Sequence, residues 1–170
     1  MLRLKLSLLS VLLIVPSVVH AQEPVASITM PLHISSLHTA FGVRGDFTGE
    51  YQIYPDTIKV ILTQSYLTVS TTCPYQGRRH IGFIQIGLAT ALEERKWDVV
   101  SWSKKHPVEK TLMPGDQYDL DRIELDIPRQ GRADLENCWL VIQIEEKSLD
   151  LPDVKDRSGY HYAHSIRQLF

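Results

Sequence analysis

Polar and apolar residues alternate with a period of two along much of the chain, and that period predicts strands. Thr57 to Thr63 sets Ile58, Val60 and Leu62 on one face and Thr57, Lys59 and Thr63 on the other, with Ile61 between. After Gln64-Ser65 the apolar phase moves to Leu67 and Val69. A bulge or turn is therefore expected there, since otherwise the core face would turn to solvent. Ile81 to Leu88 is apolar on both faces, with Ile84, Ile86 and Leu88 on one and Ile81 and Phe83 on the other. This is the pattern of a central, doubly covered strand. Trp97 to Ser103 is again strand-like. Ala89 to Lys96 fits either a helical turn or a charged hairpin loop.

The cleanest alternation is Asp121 to Asp126. Arg122, Glu124 and Asp126 interleave with Ile123, Leu125 and Ile127, and Pro128 stops the ladder. Upstream, Met113-Pro114-Gly115-Asp116 is a turn, because proline presets φ and glycine supplies a positive φ. Cys138 to Glu146 forms the last strong strand, with Cys138, Leu140, Ile142 and Ile144 on one face. Short alternating strands, turn signals and no long amphipathic helix predict an all-β fold, an antiparallel β-sandwich. A small β-barrel is the second choice. A parallel sheet would need crossover helices that the pattern lacks.

The amino-terminal pattern differs. Arg3 and Lys5 precede the apolar run Leu8 to Val15, Pro16 and Ser17 break it, and Val19-His20-Ala21 offers small or modest side chains for cleavage. Residues 1–21 are expected to be a secretory signal peptide cut after Ala21. The run is too short for the ~20 residues of a spanning helix. No cysteine follows the site, which argues against a lipid anchor. Residues 22–170 are then one extracytoplasmic domain, periplasmic or secreted, with 22–35 and the tail after Lys147 expected to be least ordered. Losing Arg3 and Lys5 takes the formal net charge from −2 to −4. That balance gives no general pull toward nucleic acid, and no later stretch is apolar and long enough to span a bilayer.

The address colours Cys73 and Cys138. In an oxidising compartment a disulfide between them is the first expectation, closing a loop of about 65 residues worth on the order of 4 kcal/mol. Free thiols are the second. A redox pair is third, because it usually sits closer, as Cys-x-x-Cys.

Leu112 to Leu120, Ile123 to Pro128 and Cys138 to Ile144 together resemble the second half of bacterial secreted immunoglobulin-like or fibronectin type III-like modules. In those modules a Pro-Gly turn leads into a polar/apolar strand, a loop and an apolar strand. The resemblance covers residues 112–144 and implies an Ig-like sandwich that binds or spaces other components. The Cys73 to Cys138 separation is also similar to an immunoglobulin domain's. However, Trp97 and Trp102 come too late after Cys73 for that family's core tryptophan, and Glu136 stands where its tyrosine corner puts Tyr. An antibody-type domain is not implied.

Candidate chemistry is sparse. His161 and His164, spaced i and i+3, could share a metal on a helix or tight turn. On a regular strand they face opposite ways, and a surface or packing role is the simpler reading. His33 and His38 could join them only through the tertiary fold. Asp150, Asp153 and Asp156 lack the alternate spacing of a calcium loop, and Asp116, Asp119 and Asp121 are read likewise as solvated acids. Arg78, Arg79 and His80 form a small basic loop that could meet an anionic partner, against the simpler reading of a solvated turn. Trp97, Trp102 and Trp139 could stack on carbohydrate, but the odd spacing of the first two puts them on opposite faces of a regular strand.

There is no nucleophile elbow, phosphate-binding loop or dinucleotide fingerprint. The function expected is that of an exported, non-catalytic protein, without cofactor, that binds a partner protein or cell-envelope component. The alternatives are a small periplasmic metal-binding or hydrolytic enzyme using His161 and His164, and a fimbrial subunit or chaperone with an open strand edge.

Overall fold

The computed structural model describes residues 28–35, 42–73, 76–93, 96–131, 135, 137–150 and 157–166. The signal-peptide segment 1–21 and His38, Asp153, Asp156 and Glu136 lie outside them. Ten strands follow in order: β1 (Thr29–Ser35), β2 (Val43–Ile53), β3 (Thr57–Val69), β4 (Arg79–Glu93), β5 (Lys96–Trp102), β6 (His106–Leu112), β7 (Gln117–Leu120), β8 (Ile123–Pro128), β9 (Cys138–Ser148) and β10 (Arg157–Ile166). They form two antiparallel sheets, and neither closes into a barrel. Sheet A runs β1-β2-β3, with β7 and β8 both paired to the far edge of β3. Sheet B runs β10-β9-β4, with β5 and β6 both paired to the far edge of β4.

The core is the meeting of the two inward faces. Ile58, Val60 and Leu62 of β3 pack in one apolar cluster with Ile84, Ile86 and Leu88 of β4 and Leu140, Ile142 and Ile144 of β9, all fully buried. Removing each such side chain from water is worth about 1.5–3 kcal/mol, which makes this layer the main source of stability. The expected phase slip in β3 is a bulge at Thr63. Thr48 of β2 faces Gln64 while Gly49 faces Leu62. On the other edge of β3 the break falls at the same level, since Leu120 ends β7 opposite Ser65 and Ile123 opens β8 opposite Leu62.

The Met113–Asp116 turn has the expected chemistry. Gly115 has φ +94°, the Asp116 N–H donates to the Met113 carbonyl at 3.0 Å, and the Gly115 N–H ties the turn to the Val69 carbonyl at 2.8 Å. The Ala89–Lys96 segment is a hairpin rather than a helical turn: β4 runs on to Glu93, which pairs with Lys96.

Residues 29–35 pair along their whole length with β2, and residues 157–166 pair with β9 around an unpaired Ala163. Two expectations need correction. Ile81 belongs to the core, because a bulge between Ile81 and Ile84 puts it on the same face as Ile84. Cys73 and Cys138 are not bonded. Cys138 sits opposite Thr90, whereas Cys73 lies beyond the Arg79 end of β4, against Gly42. Eleven residues of strand separate Arg79 from Thr90, roughly 35 Å at the rise of an extended chain, against the ~4.4–6.8 Å between Cα atoms that a disulfide needs.

Candidate functional site

The outer faces of the two sheets differ in kind. On sheet A the outer face is mostly polar. Glu124 accepts from Lys59 at 2.8 Å and from Arg122 at 2.8 Å. The Lys59 hydrogen bond, reinforced by its charge, holds the Glu124 carboxyl below the usual range, and the same contact raises Lys59. Arg44 donates to Ser35, and Gln52 to Thr29. His33 Nδ1 lies 3.2 Å from Thr48 Oγ1 and 3.7 Å from Asp46. This is a solvated surface.

The outer face of sheet B is apolar and aromatic. Phe83, Ala89 and Val141 are buried yet lie outside the core cluster, so they form a second apolar layer on the far side of the sheet. The register arranges this layer in rows. Gln143 faces Gln85, Val141 faces Gly87, and Trp139 faces Ala89. Across β4, Trp102 faces Gly87 and Val99 faces Ala89. Tyr160 and Tyr162 of β10 hold the register positions opposite Gln143 and Val141.

Small residues on the central strand leave room for large ones beside it. A Cβ added to Gly87 would lie 2.7 Å from Trp102 Cε3 and 2.8 Å from Val99 Cγ1, so the indole lies down across the strand, covering the glycine backbone. Next to it, Gln85 Nε2 donates to Gln143 Oε1 at 2.7 Å. Gln85 is only 7% exposed. The result is a largely buried strip of Phe83, Trp102 and Trp139 that includes the Gln85–Gln143 pair. Toward the Arg79 end Glu145 lies over Gly82 and Lys105 Nζ sits 4.0 Å from the Phe83 ring centroid.

A bulge at Val100, between the Leu88–Ser101 and Ala89–Val99 pairs, breaks the alternation on which the parity argument rested; Trp102 lies on the face of Gly87, and Trp97 holds the register position opposite Ala91. Trp139 lies on that face too.

The three residues of the basic loop take different partners. Arg78 is spent on Asp150, donating through its backbone N–H at 2.6 Å, Nη2 at 2.9 Å and Nε at 3.2 Å. These bonds hold the Asp150 carboxyl below the usual range and raise Arg78. Arg79 opens β4 with no exposed surface, and its Nη1 donates to the Gly77 carbonyl at 2.5 Å. His80 points the other way, 3.2 Å from Glu109, whose φ of +49° marks the bulge between β4 and β6.

The histidine pair is also shifted by a bulge. His161 pairs with Ile142 and His164 with Leu140, with Ala163 unpaired between them. Among the described residues, no group of three His, Cys, Asp or Glu is arranged to hold a metal. Asp116 accepts from the Met113 N–H and Asp119 from Gln117, as turn and strand-surface acids. No helix among the described residues is long and apolar enough to cross a membrane.

Comparison with protein-family models, with curated proteins and with solved structures finds no match.

Proposed function

We propose that this chain is an exported, non-catalytic β-sandwich that binds a component of the cell envelope through the outer face of sheet B. The observation that carries this reading is the contrast between the two outer faces. Sheet A turns charged and polar side chains to water, while sheet B carries the half-buried Trp102 and Trp139 in the rows beside the Gln85–Gln143 pair. An apolar surface with a few placed polar groups is the usual make-up of a recognition site. Strand order supports the Ig-like part. β10-β9-β4-β5 follows the G-F-C-C′ order of a variable-type sheet and β2-β3-β7 the order A-B-E, with β1 as an added edge. The fold sets no function by itself, so the weight rests on the face.

The test is co-sedimentation of the full chain, expressed with its own leader and recovered outside the cytoplasm, with insoluble envelope material. The reading predicts saturable sedimentation that falls when a charge is placed on sheet B by Gln143→Lys and is unchanged by Gln64→Lys on sheet A. Retention of the uncleaved chain in the cytosol, or equal sedimentation of both variants, contradicts it.

A further inference from the structure

We propose that the free edge of β8 is closed to strand addition by a second chain, and that Ser101 is the residue that closes it. The inference concerns the side of the sandwich where β8 of sheet A meets β5 of sheet B. It is independent of what the outer face of sheet B binds.

Among the described strands β8 pairs with β3 alone, on one edge. In an antiparallel ladder alternate residues turn their backbone N–H and C=O to one neighbour, and the residues between turn theirs the other way. The Arg129 N–H donates to the Asp56 carbonyl at 2.9 Å, so Arg129 belongs to the set that faces β3. The same alternation sets Ile127, Leu125 and Ile123 toward β3 and leaves Glu124, Asp126 and Pro128 presenting their backbone groups at the free edge. A row of this kind is a template for another chain's strand.

That row is interrupted. Pro128 has no N–H to donate. Its carbonyl is already used, because the Ser101 hydroxyl donates to it at 2.5 Å. Ser101 stands opposite Leu88, a core residue, so it holds a core-facing position on β5 from which a side chain can reach the other sheet. It is 5% exposed, and a hydroxyl so buried is costly unless bonded. The bond to Pro128 meets that need and takes the acceptor a partner strand would use. The two remaining positions, Glu124 and Asp126, carry exposed acids. If two copies paired antiparallel about Leu125, Glu124 of one would stand opposite Asp126 of the other, and like charges directly opposite are unfavourable. The contacts of Glu124 with Lys59 and Arg122 soften that repulsion, which leaves the Pro128 end as the firmer block.

The test compares the exported full chain with the triple variant Ser101→Ala/Asp126→Thr/Pro128→Val, which frees the carbonyl, restores an N–H and removes an acid. Sedimentation velocity is followed as concentration rises, and amide hydrogen exchange at Glu124 and Asp126 locates any contact. In the parent these two amides should exchange at a rate independent of concentration. The variant should shift toward the dimer, with both amides slowed by about tenfold or more as it forms. Returning Ser101 to the variant should reverse most of the shift, and Ser101→Thr in the parent, which keeps the hydroxyl, should behave as the parent does. Three results overturn the proposal: protection of Glu124 and Asp126 in the parent at high concentration, a triple variant that is folded by circular dichroism yet stays monomeric, or a dimer indifferent to the return of Ser101. If the triple variant does not fold, Ser101→Ala/Asp126→Thr takes its place and is read by the same outcomes.

Discussion

Trp102 lies over Gly87 so closely that a methyl group added to the glycine would be 2.7 Å from the indole. A side chain at position 87 must push the ring away and open the apolar layer beneath it. Gly87→Ala is therefore expected to cost about 1–3 kcal/mol, the range for overpacking a well-filled site. Gly87→Val should cost more. Urea titration followed by circular dichroism measures the loss, and a quenched or shifted tryptophan emission would report the displaced ring.

The Gly115 turn gives a second, independent handle. Its φ of +94° lies where a Cβ is penalised, and it fastens the β6–β7 connection to the end of β3. Gly115→Ala should destabilise by about 1–2 kcal/mol with little change in the denaturant slope. Asp116→Ala, which removes the acceptor of the Met113 N–H, should cost less, because that bond is exposed.

Acid sensitivity should follow the Arg78–Asp150 pair. Asp150 is held below its ordinary pKa by hydrogen bonds from the Arg78 side chain and backbone. Its contribution is full above the unfolded carboxylate pKa and is lost as pH falls through the lower, folded value. Asp150→Asn should therefore lower the melting temperature slightly at neutral pH, with the gap to the parent closing on acidification. The effect is small, since both partners face water and salt screens them.

The separated cysteines predict chemistry as well as structure. The folded protein should carry two thiols, and a reducing agent should leave its melting temperature unchanged. Thiol titration after unfolding checks the first point and a thermal melt the second. Cys138 is buried at the start of β9, so Cys138→Ala should be tolerated better than Cys138→Asp.

The sequence makes some of these elements plain and hides others for identifiable reasons. β8 alternates cleanly because it has one dry and one wet face, and β3 alternates up to Leu62 apart from the buried Ile61; their inward residues Ile58, Val60, Leu62, Ile123, Leu125 and Ile127 are buried as expected. β2 escapes notice although it is eleven residues long. Its inward positions read Val43, Gly45, Phe47, Gly49, Tyr51, and the two glycines break the apolar period. One of them stands opposite Leu62 at the β3 bulge. The binding face is hidden by a related cause. Alternation predicts faces only while the register is unbroken, and single extra residues at Val100 and Ala163 each invert it. The opposite-side expectations for Trp97 and Trp102, and for His161 and His164, both assumed an unbroken register. Nothing local marks Val100 as a bulge. The disulfide expectation fails differently: compartment and count favoured a bridge, but only the register shows that the cysteines sit at opposite ends of sheet B.

The most direct measurement is hydroxyl-radical footprinting of the exported protein, free and bound to envelope material. The account predicts that Trp102 and Trp139 lose reactivity on binding while Tyr66 and Met113, on sheet A and its connecting turn, keep theirs. Protection of Tyr66 or Met113 with both tryptophans unchanged would contradict it.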